Sequence, residues 1–119
     1  MNYGYAIPFG FPPAVPRVMA MERNLSSSLS TLTCTSTGSP PTNVKWMKDG
    51  ETLITNGTMY SLTQTLVDRV TSTYNNTLTI EASFIDVVGE YSCKVVNSIG
   101  TSNVQSTEIR GRVTLKLDL

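Results

Sequence analysis

Apolar and polar residues alternate with a period of two along much of this chain, the pattern of strands that bury one face and expose the other. Leu32 and Cys34 take one side while Thr31, Thr33 and Thr35 take the other, which predicts a strand around the first cysteine. Gly38-Ser39-Pro40-Pro41 is expected to break that strand, because glycine and paired prolines favour turns. Val44 and Trp46 then alternate with Lys45 and Met47, and Lys48-Asp49-Gly50 supplies the residues of a turn. Leu78 and Ile80 point inward on a later strand, as do Tyr91, Cys93 and Val95 on the next, after which Asn97 and Gly100 open a hairpin. An initial strand is expected between Val15 and Met21. Between Glu51 and Thr73 the residues Met59, Leu62, Leu66 and Val70 fit no single alternation, so one or two edge strands are expected there. Val113, Leu115, Leu117 and Leu119 alternate with Thr114, Lys116 and Asp118. The last strand therefore either runs late into this tail or ends near Arg110.

Composition narrows the class. A chain of 119 residues has room for one domain of ordinary size. Serine and threonine are abundant while charged residues make up only 15%, which suits short strands and turns better than helices and agrees with the all-β reading of the alternation. Lys+Arg and Asp+Glu are nine each, with no basic stripe, so no nucleic-acid partner is expected. No apolar run approaches the roughly 18 residues needed to cross a bilayer, so this segment is expected to make no membrane contact. Residues 1–16 carry prolines and aromatics rather than a basic start and an apolar core. Any signal peptide or membrane anchor is accordingly expected outside this segment.

Cys34, Trp46 and Cys93, with Tyr91 two residues ahead of the second cysteine, resemble the immunoglobulin superfamily pattern. Three segments in order resemble its I-set branch: Val44-Lys-Trp46-Met-Lys-Asp-Gly50, Asn75-Asn-Thr-Leu78-Thr-Ile80 and Cys93-Lys-Val95-Val-Asn97-Ser-Ile-Gly100. The resemblance implies an immunoglobulin-like sandwich of two antiparallel sheets with Greek-key connections and one inter-sheet disulfide between Cys34 and Cys93. The bare cysteine count would also allow two buried free thiols in a reducing compartment. The resemblance further implies that Trp46 packs on the bridge, that Leu78 and Ile80 are core, and that the Tyr91 hydroxyl bonds back to the backbone near a corner. It divides the chain into a flexible N-terminal segment or linker (residues 1–13), an I-set domain (14–110) and the end of the last strand or a C-terminal linker (111–119). Thr107 and Ile109 fall where the family's last strand usually lies, which favours the earlier end.

One departure from the family concerns the corner before Tyr91. An Asp usually stands six residues before the second cysteine, but Val87 holds that place and Asp86 is displaced by one. The position commonly filled by a buried apolar residue is Ser83, so Phe84 or Ile85 is expected to fill the core instead. The family's Asp pairs with an Arg, and Arg69 is the candidate partner for Asp86.

Catalysis finds little support. The chain has no histidine, the commonest general base and a common zinc ligand. Its serines lack a recognisable activating partner, and its acids are scattered singly, which argues against a paired-carboxylate site or a calcium loop. Asp49-Gly50-Glu51 reads as a turn rather than as metal ligands. No enzyme activity, metal or other cofactor is expected. Three N-glycosylation sequons, Asn24-Leu-Ser26, Asn56-Gly-Thr58 and Asn75-Asn-Thr77, join the cysteines in pointing to an oxidising, extracellular or cell-surface location.

Surface recognition remains. With Trp46 and Cys93 inward, Lys45, Met47, Ser92, Lys94 and Val96 face outward on strands that the family places side by side. Met47 and Val96 are expected to form a small apolar patch between Lys45 and Lys94, unless a neighbouring strand covers them. Asn24 and Asn75 belong to the opposite sheet. The sheet that carries Trp46, Cys93 and the last strand (C, F and G in the family's lettering) is therefore expected to be the open, protein-binding face, with the other sheet glycan-shielded. The resemblance implies an extracellular recognition or adhesion module of a larger receptor, flanked by similar domains. A secreted single-domain immune-type protein and an intracellular spacer of the muscle-filament type are the alternatives.

Overall fold

A computed structural model describes residues 14–26, 29–50, 52–81 and 87–110. The strands are β1 (Ala14–Asn24), β2 (Leu29–Ser39), β3 (Asn43–Lys48), β4 (Thr52–Leu53), β5 (Tyr60–Asp68), β6 (Thr73–Glu81), β7 (Gly89–Val96) and β8 (Gln105–Ile109). They form two antiparallel sheets, ordered β1-β2-β6-β5 and β4-β3-β7-β8, so the chain passes between sheets after β2, β4 and β6. The fold is thus the two-sheet sandwich that the alternation and the resemblance imply.

The threonine-rich pattern explains the inner pair β2 and β6. Their β-branched outer residues favour extended backbone, and every second residue is free to face the other sheet. Leu32, Cys34 and Ser36 on β2, and Asn76, Leu78 and Ile80 on β6, are buried. A disulfide joins Cys34 on β2 to Cys93 on β7, with the Cα atoms 6.8 Å apart, and so ties the two sheets together. Trp46 stands directly opposite Cys93 in the β3–β7 register and is buried in the same core as Val18, Leu32, Ile54, Tyr91, Val95 and Ile109. Burying each large apolar side chain contributes about 1.5–3 kcal/mol. The exposed Glu108–Arg110 ion pair, by contrast, is of a kind worth about 1 kcal/mol or less. The core therefore dominates stability.

Several local expectations are corrected. The first strand is longer than Val15 to Met21, because β1 pairs with β2 from Ala14 opposite Ser39 to Asn24 opposite Thr31. Gly38 and Ser39 do not break β2. Gly38 donates to the Ser72 carbonyl at 3.3 Å and accepts from the Ser72 hydroxyl at 2.7 Å, which holds the strand in place. A Cβ on Gly38 would meet Thr42 Cγ2 at 2.6 Å, so close packing, rather than a turn, requires this glycine. The ambiguous stretch holds two edge strands, β4 and β5. Its alternation fails because Leu62 packs on the core while Leu66 and Val67, further along β5, remain exposed. The last strand lies at Gln105–Ile109. Residues 82–86 and 111–119 fall outside the described residues, and with them the roles expected of Ser83, Phe84 and Ile85, the Asp86–Arg69 pair and the alternating tail.

The flank between β1 and the β8 side is closed by side chains. Asn103 accepts the Val18 amide at 3.0 Å through Oδ1 and donates to the Val18 carbonyl at 3.1 Å through Nδ2, the two bonds a neighbouring strand would make. Arg23 donates to the Glu108 carbonyl at 2.7 Å. Asn103→Ala is expected to cost about 1–2 kcal/mol, two modest hydrogen bonds with partly buried partners. Amide hydrogen exchange checks this: the Val18 amide should exchange at least several-fold faster while the Leu78 amide is little changed. Equal protection at Val18 would deny the clamp.

Candidate recognition face and sequon-bearing face

The residues with fold signatures are inward. The Tyr91 hydroxyl donates to the Val87 carbonyl at 2.6 Å, bracing the chain just before β7. Lys48 lies with Nζ 5.8 Å from the centroid of the Tyr91 ring. Asp49 takes φ +56° as the chain leaves β3, and its role exceeds that of a turn residue. Its amide donates to the Glu90 carbonyl at 2.7 Å and its Oδ1 accepts the Glu90 amide at 3.0 Å, extending the β3–β7 pairing by one step.

The outer surface of the β4-β3-β7-β8 sheet is set by register. Lys45 stands opposite Lys94, Met47 opposite Ser92, and Asn43 opposite Val96. Lys45 is exposed, and Met47, Lys94 and Val96 are half-buried. The expected Met47–Val96 patch does not form. Those residues lie two rows apart, about 13 Å along the strands, with the two lysines between them. Parity alone could not show this, because it places a side chain on a face without saying which residue stands beside it. The apolar neighbour of Met47 is Leu53 on β4, directly opposite it and 52% exposed. Ser92, expected outward, lies in the same row but is only 6% exposed, a short side chain between Met47 and Ser106. At the far end of the face Glu90 stands opposite Glu108, both exposed.

All three sequon asparagines lie on or against the other sheet. Asn24 ends β1, exposed, opposite Thr31. Asn75 sits in β6 between Thr35 of β2 and Thr65 of β5, and the Thr35 hydroxyl donates to its Oδ1 at 3.0 Å. Asn56, whose position the strand pattern left open, is exposed and accepts the Leu62 amide of β5 through Oδ1 at 2.7 Å. The bonds at Asn56 and Asn75 use the carbonyl oxygen, not the amide nitrogen to which a sugar would be joined.

Asn76, the middle residue of the third sequon, was not singled out by sequence. It is fully buried, donates to the Cys34 carbonyl at 3.0 Å and to the Ser36 hydroxyl at 2.8 Å, and accepts from Gln64 Nε2 at 2.6 Å. The Gln64 amide also donates to the Thr42 carbonyl at 3.1 Å, linking β5 to the start of β3. The available signal was parity, since Asn76 shares the inward side of Leu78 and Ile80.

Residues 19–107 match the family model for the immunoglobulin I-set domain. Mouse hemicentin-1 is 31% identical over 90 residues, covering 76% of this chain and 1% of the relative's length. Among solved structures, a titin segment superposes with a TM-score of 0.63 at 24% identity, covering 82% of this chain and 48% of that one. The N-terminal eight immunoglobulin domains of Down Syndrome Cell Adhesion Molecule give a TM-score of 0.64 at 21% identity, covering 78% of this chain and 12% of that one. At these identities the two structures show the shared fold alone.

Proposed function

The chain belongs to the immunoglobulin I-set family, and on that footing we propose that it is an extracellular recognition or adhesion module of a larger cell-surface protein. A protein partner meets its β4-β3-β7-β8 face, while glycans at Asn24, Asn56 and Asn75 cover the opposite sheet. The observation that carries this reading is the segregation of the sequons: all three asparagines lie on or against the β1-β2-β6-β5 sheet. The Met47–Leu53 pair rimmed by Lys45 and Lys94 supplies the apolar centre and polar edge of a contact surface on the other. The similarity to hemicentin-1 supports the class of function, whereas the partner is argued from the face itself. An intracellular spacer would carry neither glycan nor disulfide.

Two measurements test this. The intact mass of chain secreted from eukaryotic cells should fall on enzymatic deglycosylation, and Cys34 and Cys93 should resist thiol labelling. Two free thiols and an unchanged mass would sink the extracellular reading. Met47→Asp should then weaken partner binding at least tenfold with the unfolding midpoint little changed, because it places a charge in the apolar centre. Undiminished binding by a folded Met47→Asp protein would exclude this face.

A further inference from the structure

We infer that the partner of the β4-β3-β7-β8 face is a second copy of the same chain, packed face to face about a two-fold axis; this rests on the reading of that face as the open one. The argument is the order of charges along the strands. Lys45 and Lys94 form one row across β3 and β7. The next row holds Leu53, Met47, Ser92 and Ser106, with no charge. The row beyond holds Glu90 and Glu108, both exposed, beside Asp49, whose carboxylate is bonded to the Glu90 amide. Successive rows are about 7 Å apart, since each advances two residues along a strand. Glu108 is engaged by Arg110 at 3.1 Å and the Asp49 carboxylate by the Glu90 amide at 3.0 Å, so Glu90 is the acid that the register turns outward at this end.

That order is self-complementary. A half-turn about an axis along the uncharged row turns one copy over onto the other and reverses its strand direction. Lys94 of each copy then faces Glu90 of the other. Met47 and Leu53 meet their own counterparts at the centre. Such an isologous contact makes every interaction between different positions twice. Sheets packed at the usual separation of about 10 Å bring long lysine and glutamate side chains within reach of one another. Within one chain the directly opposed lysines repel, and so do the opposed glutamates. Pairing with a second copy places an opposite charge over each of Lys94 and Glu90. The net charge of zero adds no overall repulsion between copies. The face of one such domain is small, so the dimer is expected to be weak, with Kd on the order of 100 µM.

Sedimentation equilibrium of the glycosylated chain tests this. The wild type should show a monomer–dimer equilibrium that weakens at least tenfold when NaCl is raised from about 50 mM to about 500 mM. Lys94→Glu and Glu90→Lys, each with an unaltered circular dichroism spectrum, should each be monomeric. In the first, the new carboxylate at position 94 of each copy would meet Glu90 of the other; in the second, lysine would meet lysine. An equimolar mixture of the two variants should recover the dimer, because every facing pair is again of opposite sign. A wild type monomeric at about 1 mM, a dimer indifferent to both variants, or a mixture that stays monomeric overturns the second copy as partner. If such a monomer still binds a different protein and loses it on Met47→Asp, the open-face reading survives alone. If that binding is indifferent to Met47→Asp, both readings fall.

Discussion

Replacing Cys34 and Cys93 together by alanine is expected to lower the unfolding free energy by about 4 kcal/mol, the largest effect of any change outlined for this chain. The bridge spans 59 residues, and in the chain-entropy treatment closing a loop of that length removes about 4 kcal/mol of conformational freedom from the unfolded state. Both sulfurs are fully buried between β2 and β7, so the alanines also leave a small unfilled volume that adds to the loss. Domains of this size have total stabilities of about 5–15 kcal/mol, so the variant should be marginal. Urea unfolding followed by the fluorescence of Trp46, the sole tryptophan, measures the change as a fall in midpoint. A loss below about 1 kcal/mol would mean that the core of Leu32, Trp46, Leu78 and Ile80 holds the sheets together without help from the bridge.

The second large effect is expected at Asn76. Asn76→Ala should destabilise the fold by about 3 kcal/mol, because it strips partners from the Cys34 carbonyl, the Ser36 hydroxyl and the Gln64 amide, two of which lie in fully buried residues. An unsatisfied buried polar group costs about 1–3 kcal/mol, and the alanine contributes no packing to offset it. The substitution leaves the Asn75-x-Thr77 sequon intact, so a change in stability cannot be ascribed to a lost glycan. Asn75→Gln, compared in unglycosylated protein, should shift stability by about 0.5 kcal/mol or less, since its side chain lies on the outer surface with a single hydroxyl partner. Matched urea curves for the two variants check this. Equal effects would mean that the Asn76 network contributes no more than a surface contact.

The contrast between these adjacent asparagines shows how far the fold and the candidate face could be read from residues in order. Parity within β2, β3, β6 and β7 was legible because the pleat turns successive side chains to opposite faces wherever a strand runs. That local rule placed Trp46, Leu78, Ile80, Tyr91 and Cys93 inward, and Asn75, Lys45 and Met47 outward. It also placed Asn76 inward, but a polar residue next to a sequon carries no sign of the three partners that make its burial tolerable. The edge strands were less legible. β4 is two residues long, and β5 outruns the core, so neither shows a full alternation.

Residue order alone was enough to specify the main strands and the face on which most side chains lie, because period and turn chemistry are properties of consecutive residues. The I-set sandwich followed from the resemblance of its signature residues to that family. Which side chains become neighbours was set by the folded arrangement in space. Folding put Met47 beside Leu53 and away from Val96, drew Lys45 opposite Lys94, and brought Asn56 to the edge of β5. It also carried Asn103 back to Val18 across 85 positions. The physical reason is that register and seams depend on how loops close and on how distant side chains pack, and those terms have no period along the chain.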